Sequence, residues 1–386
     1  MTGSGRRETG DGRGRARLLL SGVLVITGMA VWACSKDSTG PDLSGLPACG
    51  AATRFTVSPL QLPDIREIAP LGNLAPPGHT FPTDHMYFYP LIGPGVPIAS
   101  PGQIRVTQVT LQKRTGNGQP EFDDYGLDFY PCPSEHFYFA HVSAIDPSLL
   151  AAFGSLGSGC GAPYETGGYT FQQCRKTVKV DVAPGAPVGT AGGPNQGALD
   201  LGGNDDAAPP LAYIDAARQT GSAGTHAVCP LDYFTADVGD SLRARLAVNG
   251  NQRTAPPVCG TIAQDVAGTA QGRWFFDATG QEDHHLALVH QNWDPAIGAF
   301  SIGTQVPGTS PTVLQFAPVG TGRLNRDFSG VSADGKLYCY EPNNATGHVF
   351  IQLPSATQLK IEVTSSGACG DSTTWAFGAG VATFAR

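Results

Sequence analysis

The chain has 386 residues and a formal net charge of −8, from 24 Lys and Arg against 32 Asp and Glu. An acidic chain does not suit a nucleic-acid partner, and it argues against adhesion by charge to an anionic surface. The length exceeds that of one average domain, and the 51 Gly and 31 Pro punctuate many short apolar segments. We therefore expect more than one domain, with frequent turns.

The first 33 residues have the pattern of a secretory signal. Five arginines between Arg6 and Arg17 precede the apolar stretch Leu18 to Trp32, and Cys34 follows Ala33. A cysteine at this place resembles the bacterial lipoprotein signal, whose cysteine is lipidated and becomes the new N-terminus. The resemblance implies a lipid anchor at Cys34 and a polar tether over residues 34–55. An uncleaved membrane anchor is the alternative, although the stretch is short for a span of about 20 residues.

Export predicts the location and the state of the cysteines. The remainder of the chain lies outside the cytoplasm, and we expect a lipid-anchored protein of the cell envelope, on its periplasmic or outer-membrane face. An even number of cysteines in an exported chain indicates disulfides. Apart from Cys34 there are eight, and their spacing suggests the local pairs Cys160–Cys174, Cys229–Cys259 and Cys339–Cys369, which leaves Cys49 for Cys132. Spacing alone does not fix the connectivity, so other pairings stay open at this stage.

The local pattern predicts an all-β protein. Segments rich in β-branched and aromatic residues read as strands, and helical turns are expected only at Asp146 to Gly154 and Pro210 to Arg218. We divide the exported part into a first β domain over residues 56–215 and a second over residues 216–386. The predicted strands are residues 103–114, 136–145, 177–182, 285–292, 336–341, 348–353 and 359–363.

Three segments of the first domain carry a family resemblance. They are "GPGVPIASPGQIRV" (93–106), "FYFAHVSAIDPSLLAAFG" (137–154) and "VKVDVAPGAPVGTAGGPNQGALDLGGND" (178–205). In this order they resemble the lysostaphin/LytM-type zinc endopeptidases, which cut peptidoglycan cross-bridges. The resemblance covers residues 76–205, about a third of the chain. It implies an antiparallel β-sheet core domain with a zinc site, followed here by a disulfide-stapled, β-sandwich-like domain.

The resemblance also implies a set of site residues, with departures from the family pattern. Where the family has an H-x-H strand, this chain has Ala198-Leu199-Asp200, so an aspartate replaces the last histidine. In "HTFPTDH", His79 and His85 with Asp200 restore two histidines and one carboxylate, the donor types that catalytic zinc takes. Asp84 is the substitute for His85, and otherwise we expect it to face away. His141 falls on the family's catalytic histidine.

Four of these residues also have a purely structural interpretation. His79 follows Pro-Pro-Gly and could cap a turn, and Asp84 could accept backbone N–H groups after Pro82. His85 could pack beneath Tyr87, and Asp200 could be a groove-facing acid without a metal. These alternatives stay open at this stage.

Two hypotheses of different classes follow. The first is a surface-tethered zinc metallopeptidase that hydrolyses peptidoglycan peptides, with zinc held by His79, His85 and Asp200 and with His141 assisting the attacking water. The second is a catalytically inactive relative that binds peptidoglycan or an envelope protein, motivated by Ala198 and the irregular first motif. The role of residues 216–386 is not indicated by any motif.

Overall fold

A computed structural model describes residues 40–386 except 92, 94, 117–118, 158, 167–168, 194–195 and 219–223, and leaves the side chains of 119–121 and 166 undescribed. The predicted signal segment, the lipid anchor at Cys34 and the start of the tether lie outside the described residues. Pro41–Arg386 forms one compact unit. Within the described part of the chain, no helix has the length and apolar character needed to span a membrane.

The chain is mostly β, as the sequence predicts, and its sheets are antiparallel. The first sheet has the order β1-β2-β10-β6-β5-β4-β8-β7, and β9 pairs with both β3 and β6. Its strands are β1 (Ile65–Ala69), β2 (His85–Pro90), β3 (Val96–Ala99), β4 (Ile104–Gly116), β5 (Gln119–Cys132), β6 (Glu135–Ile145), β7 (Tyr164–Thr166), β8 (Tyr169–Val182), β9 (Pro187–Ala191) and β10 (Leu199–Asp205).

Two further four-stranded sheets follow a small hairpin, and both contribute side chains to one core. The hairpin consists of β11 (Ala247–Val248) and β12 (Asn251–Gln252). The two sheets contain β13 (Gly272–Trp274), β14 (Leu286–His290), β15 (Gly298–Ile302) and β16 (Thr312–Phe316), and β17 (Tyr338–Tyr340), β18 (His348–Ser355), β19 (Gln358–Thr364) and β20 (Ala382–Ala385).

The helices are short. The expected turn after β6 is α1 (Pro147–Phe153), which begins because Asp146 accepts the N–H of Ser148 and ends at Gly154, whose φ is 68°. The second expected turn is only a 3-10 helix, Ala216–Arg218. A helix that the sequence analysis missed is α2 (Ala236–Arg243). The other 3-10 helices are Ala51–Thr53, Leu62–Asp64, Pro230–Tyr233, Glu282–His284 and Phe328–Gly330.

The hydrophobic packing forms two large cores. The first lies on one face of β2, β10, β6 and β5 and continues along the chain to Ile262, and the second begins at Ala270. The domain boundary predicted at residue 215 stays a prediction, while the side chains change from one core to the other between Ile262 and Ala270.

All four predicted disulfides are confirmed. Cys49–Cys132 joins the start of the described chain to the end of β5, and Cys160–Cys174 closes a short loop onto β8. The remaining pairs are Cys229–Cys259 and Cys339–Cys369. The cysteines therefore close loops of different lengths around the two cores.

These loop lengths predict unequal contributions to stability. Cys49–Cys132 spans 83 residues and Cys160–Cys174 spans 14. A longer closed loop removes more entropy from the unfolded chain, about 4.5 kcal/mol for the first bridge and about 3 kcal/mol for the second. Replacing both cysteines of a bridge by serine should therefore lower the free energy of unfolding more for Cys49–Cys132, as urea denaturation of the two double variants can measure. Equal losses would contradict this prediction.

Candidate functional site

The candidate site lies on the sheet face opposite the first core, on strands β2, β10 and β6. Strands β2 and β10 are antiparallel neighbours, with Asp200 opposite Tyr87 and Gly202 opposite His85. Because alternate residues of a strand share a face, His85, Tyr87 and Asp200 point to the same side. The expectation that the strands of His85 and Asp200 are neighbours with both side chains on one face is confirmed.

Asp200 is the centre of the site. It is 2% exposed, and its Oδ2 lies 3.4 Å from His85 Nε2 and 3.5 Å from His141 Nε2. His85 is also buried, whereas the side chain of His141 is 36% exposed. One buried carboxylate thus faces two imidazoles, and only one of these reaches solvent.

Each imidazole is held from behind by a second carboxylate. His85 Nδ1 lies 3.0 Å from Asp84 Oδ1, and His141 Nδ1 lies 2.7 Å from Asp124 Oδ2. A carboxylate at Nδ1 favours the tautomer with its proton there, which leaves Nε2 available for a metal or a proton. The two Asp–His pairs therefore direct both Nε2 atoms at Asp200.

The backbone of His141 explains how it reaches this face. Its φ is 59°, in the left-handed region that non-glycine residues seldom occupy. The pairing of β6 with β5 and with β9 shifts register around Val142, next to it in the chain. Such an irregularity redirects a side chain out of the strand's alternation, and this kind of strain concentrates at functional sites.

Tyr138 connects β6 to the loop that precedes β2. Its hydroxyl donates to Asp84 Oδ1 at 3.0 Å and lies 3.2 Å from His85 Nδ1. The ring lies over Gly202, where an added Cβ would be 2.2 Å from the nearest ring atoms. Glycine at this position of β10 therefore makes room for the tyrosine that positions Asp84.

His79 joins the cluster from a turn rather than from a strand. Its backbone exchanges two hydrogen bonds with Ala75, and its ring centroid lies 5.3 Å from that of His85. Burial, followed by the positive charge of His85, lowers the pKa of His79 to about 4. His79 is therefore neutral at neutral pH, the form in which an imidazole can bind a metal.

The charges of the cluster reinforce one another. Burial raises the pKa of Asp200, against the opposing charges of His85 and His141. Burial would lower the pKa of both histidines, but the charge of Asp200 and the hydrogen bonds that the imidazoles donate to Asp84 and Asp124 outweigh it. The pKa of His85 is raised, and that of His141 is raised to about 9. The carboxylates of Asp84, Asp124 and Asp200 thus stabilise a positive charge on the imidazoles of His85 and His141.

The donor set fits a zinc ion in its chemistry. Three buried side-chain atoms of the cluster have no hydrogen-bond partner among the described residues: His85 Nε2, Asp84 Oδ2 and Asp200 Oδ1. Two histidines and one carboxylate are common ligands of catalytic zinc, and a carboxylate behind each metal-binding imidazole is the usual support.

The distances fit only in part. Among the described residues, the groups of three whose ligand atoms all lie within 4.8 Å of one another are Cys49–Cys132–Glu135 and Cys229–Asp232–Cys259. Their cysteines are joined in disulfides, so neither group supports a zinc site. The histidine cluster does not meet this limit as a set of three, so binding a shared ion would require its side chains to move closer together.

The expectation that Asp84 faces away from the cluster is wrong. Asp84 precedes the first residue of β2, so the alternation of the strand does not fix its direction, and its carboxylate turns back to His85. Asp124 and Tyr138 were missed. Tyr138 lies on a predicted strand, and Asp124 lies on β5, which was not predicted. The place of both residues in the site depends on how the strands pair, which the sequence does not state.

A pocket of about 430 Å³ opens beside the cluster, between the loop of His79 and the second half of the chain. Aromatic rings of Phe81, Phe275 and Tyr213 line it, together with charged groups that include Arg218 and Glu282. A peptide bound at the cluster could therefore contact apolar rings and charged groups of both signs in this pocket.

Comparisons of this chain with protein-family models, with curated proteins and with solved structures found no match.

The packing of Tyr138 over Gly202 gives a stability prediction. Gly202→Ala should lower the free energy of unfolding by about 1–3 kcal/mol, because the methyl group forces the Tyr138 ring out of its place. Gly197→Ala is the matched control, since an added Cβ there has no atom within 4 Å. Chemical denaturation of the two variants checks this, and a loss of equal size in both would count against the proposed packing.

A second prediction concerns Glu282, which accepts the N–H of Phe81 at 2.6 Å. Burial raises the pKa of Glu282 to about 7 from 4.5. The folded chain therefore keeps this proton between about pH 4.5 and 7 while the unfolded chain releases it, so stability falls as pH rises through that window. Glu282→Gln should be more stable than the unchanged chain at pH 8 and similar to it at pH 4.

Urea denaturation at the two pH values measures this difference. The control is Glu165→Gln, which neutralises an exposed glutamate of β7. A gain at pH 8 that Glu165→Gln shares would show a general charge effect instead of the burial of Glu282.

Proposed function

We propose that this protein is a surface-tethered hydrolase of the lysostaphin/LytM type, which uses zinc to cut peptide bonds of the cell wall. The single observation that carries the proposal is the convergence of His85 Nε2 and His141 Nε2 on the buried carboxylate of Asp200. Each imidazole has its own supporting aspartate, an arrangement suited to metal binding and proton transfer.

The arrangement of the strands supports the proposal. The segment 93–106 forms β3 and the start of β4, and the segment 178–205 forms the end of β8, β9 and β10. Strand β9 pairs with β3 and with β6, and β10 pairs with β2 and β6. The segments that carry the family resemblance therefore surround the histidine cluster in one sheet.

His79, His85 and Asp200 would hold the ion, and Asp84 would orient His85. When bound, zinc lowers the pKa of a water molecule and polarises a carbonyl group. His141 is the exposed member of the cluster, so its Nε2 can hold a proton beside a substrate while Asp124 fixes its Nδ1–H. The pocket beside His79 offers space for the adjoining part of a peptide.

One observation favours the second hypothesis, an inactive relative that binds peptidoglycan or an envelope partner. Ala198, at the family's first histidine of H-x-H, is 5% exposed and packs with Ala69 and Tyr87. No imidazole acts from this position, so His141 would be the remaining catalytic histidine of the family pair. The cluster could then serve recognition without turnover.

Metal binding is the first test. Protein purified without chelator should contain about one equivalent of zinc, and Asp200→Asn should lose it because the central ligand becomes neutral. The matched control is Asp277→Asn, which alters another Asp–His pair, 2.7 Å from His284, in the second half of the chain. Elemental analysis measures the content, and a value below about a tenth of an equivalent in the unchanged protein would contradict the zinc assignment.

Hydrolysis is the second test, with purified sacculi as the substrate. The unchanged protein should release muropeptides, His141→Ala should keep the metal but stop release, and Asp124→Asn should slow release about 10–100-fold. Binding to sacculi with no release would favour the inactive relative. Failure to bind sacculi at all would count against both functions.

A further inference from the structure

A groove with a concentration of positive charge lies in the second half of the chain, apart from the histidine cluster. It has a volume of about 640 Å³, and its lining includes Arg323, Arg326 and Lys336. The chain as a whole carries a net charge of −8, so the positive charge around this groove is opposite in sign to the net charge of the protein. We propose that this groove is a binding site for a phosphate group.

The two guanidinium groups are fixed in place by the backbone. Arg323 donates to the carbonyl oxygens of Leu337 and Ser372, both at 3.3 Å, and lies over the ring of Trp375. Arg326 Nε donates to the carbonyl oxygen of Gly330 at 3.3 Å. Side chains held in this way lose little further freedom when a ligand binds, which favours affinity.

Gly330 is needed for the position of Arg326. A Cβ at Gly330 would lie 2.3 Å from Arg326 Nε and 2.7 Å from its Nη2, so any larger residue would displace the guanidinium. The contact with the Gly330 backbone therefore holds the Arg326 guanidinium in position before a ligand binds. The remaining N–H groups of a guanidinium suit the oxygens of a phosphate, which accept paired hydrogen bonds.

The charge of the groove favours phosphate over a single carboxylate. Asp334 pairs with one of the three cations: its carboxylate lies 3.3 Å from Lys336 Nζ and accepts a hydrogen bond from the hydroxyl of Tyr338. Asp327, next to Arg326, is instead directed to His290 at 3.0 Å. Three cations against Asp334 leave an excess of about +2, which matches the charge of about −1.5 to −2 on a phosphate monoester.

The test uses the full exported chain and two probes, inorganic phosphate and pyrophosphate, in isothermal titration calorimetry. Saturable binding should weaken at least about tenfold in Arg326→Gln, which removes a charge-assisted contact. Gly330→Ala should weaken it similarly, because it keeps the charge but moves the guanidinium. Arg175→Gln, which neutralises an exposed arginine of β8, should leave binding unchanged.

The outcomes separate the sources of the ligand and the failure of the idea. Binding of inorganic phosphate indicates a site for the free ion, whereas binding of pyrophosphate alone indicates a site for phosphate within a larger molecule. Absence of saturable binding for both probes, or an equal loss in Arg175→Gln, would overturn the proposal. If Arg326→Gln does not fold, as circular dichroism would show, Lys336→Gln takes its place, because this side chain is 63% exposed.

Discussion

The burial of the Asp200 carboxylate is the interaction on which the candidate site depends. A carboxylate that is 2% exposed loses its water, and the cost of this desolvation is high unless opposite charge or donors replace the solvent. His85 and His141 supply that compensation from the two strands that flank β10. Asp84 and Asp124 in turn stabilise the positive charge of the two histidines. The burial of Asp200 therefore depends on the histidines, and their charge depends on the two outer aspartates.

This arrangement also sets requirements on the surrounding sheet. The opposite face of β6 and β10 is closed by Phe137, Phe139 and Leu201, all at most 1% exposed, so the strands cannot rotate to expose Asp200. Gly202 leaves room for the ring of Tyr138. The left-handed backbone of His141 turns its imidazole to the face of Asp200, which the regular alternation of the strand would not do. The polar cluster is therefore specified by the apolar packing beneath it.

Much of this fold could be predicted from local patterns. The alternation in residues 103–114 and 136–145 marked β4 and β6, and Asp146 with Pro147 marked the start of α1. Three disulfides followed from the short spacing of their cysteines, and Cys49–Cys132, 83 residues apart, followed only as the remaining pair. Helix α2 was missed because "ADVGDSLR" holds only two large apolar residues, Val238 and Leu242, too few for a clear helical period.

The site was harder to predict because its contacts are distant in sequence. Asp200 and the pair His79 and His85 followed from the family resemblance, and the structure brings His85 and Asp200 together. Asp124 lies 17 residues before His141 and meets it only through the register of β5 and β6, which contains a shift at this point. A strand pattern fixes which residues share a face, but it does not fix how far one strand slides along the next.

The second half of the chain has a direct part in positioning the site. The loop that carries His79 and Asp84 is held by partners about 200 residues away: Glu282 accepts the N–H of Phe81, and Arg273 donates to the carbonyl oxygen of Pro82. The ring of Phe81 packs with Phe275 in a small apolar cluster that also contains Ala287 and Val289.

A loop needs such partners because it lacks the ladder of hydrogen bonds that fixes a strand. His85 and Asp200 are placed by β2 and β10, but the direction of Asp84 and the approach of His79 depend on the segment before β2. That segment rests on β14 and the residues around it. The sheet of β13–β16 and the residues beside it therefore support the loop that completes the histidine cluster.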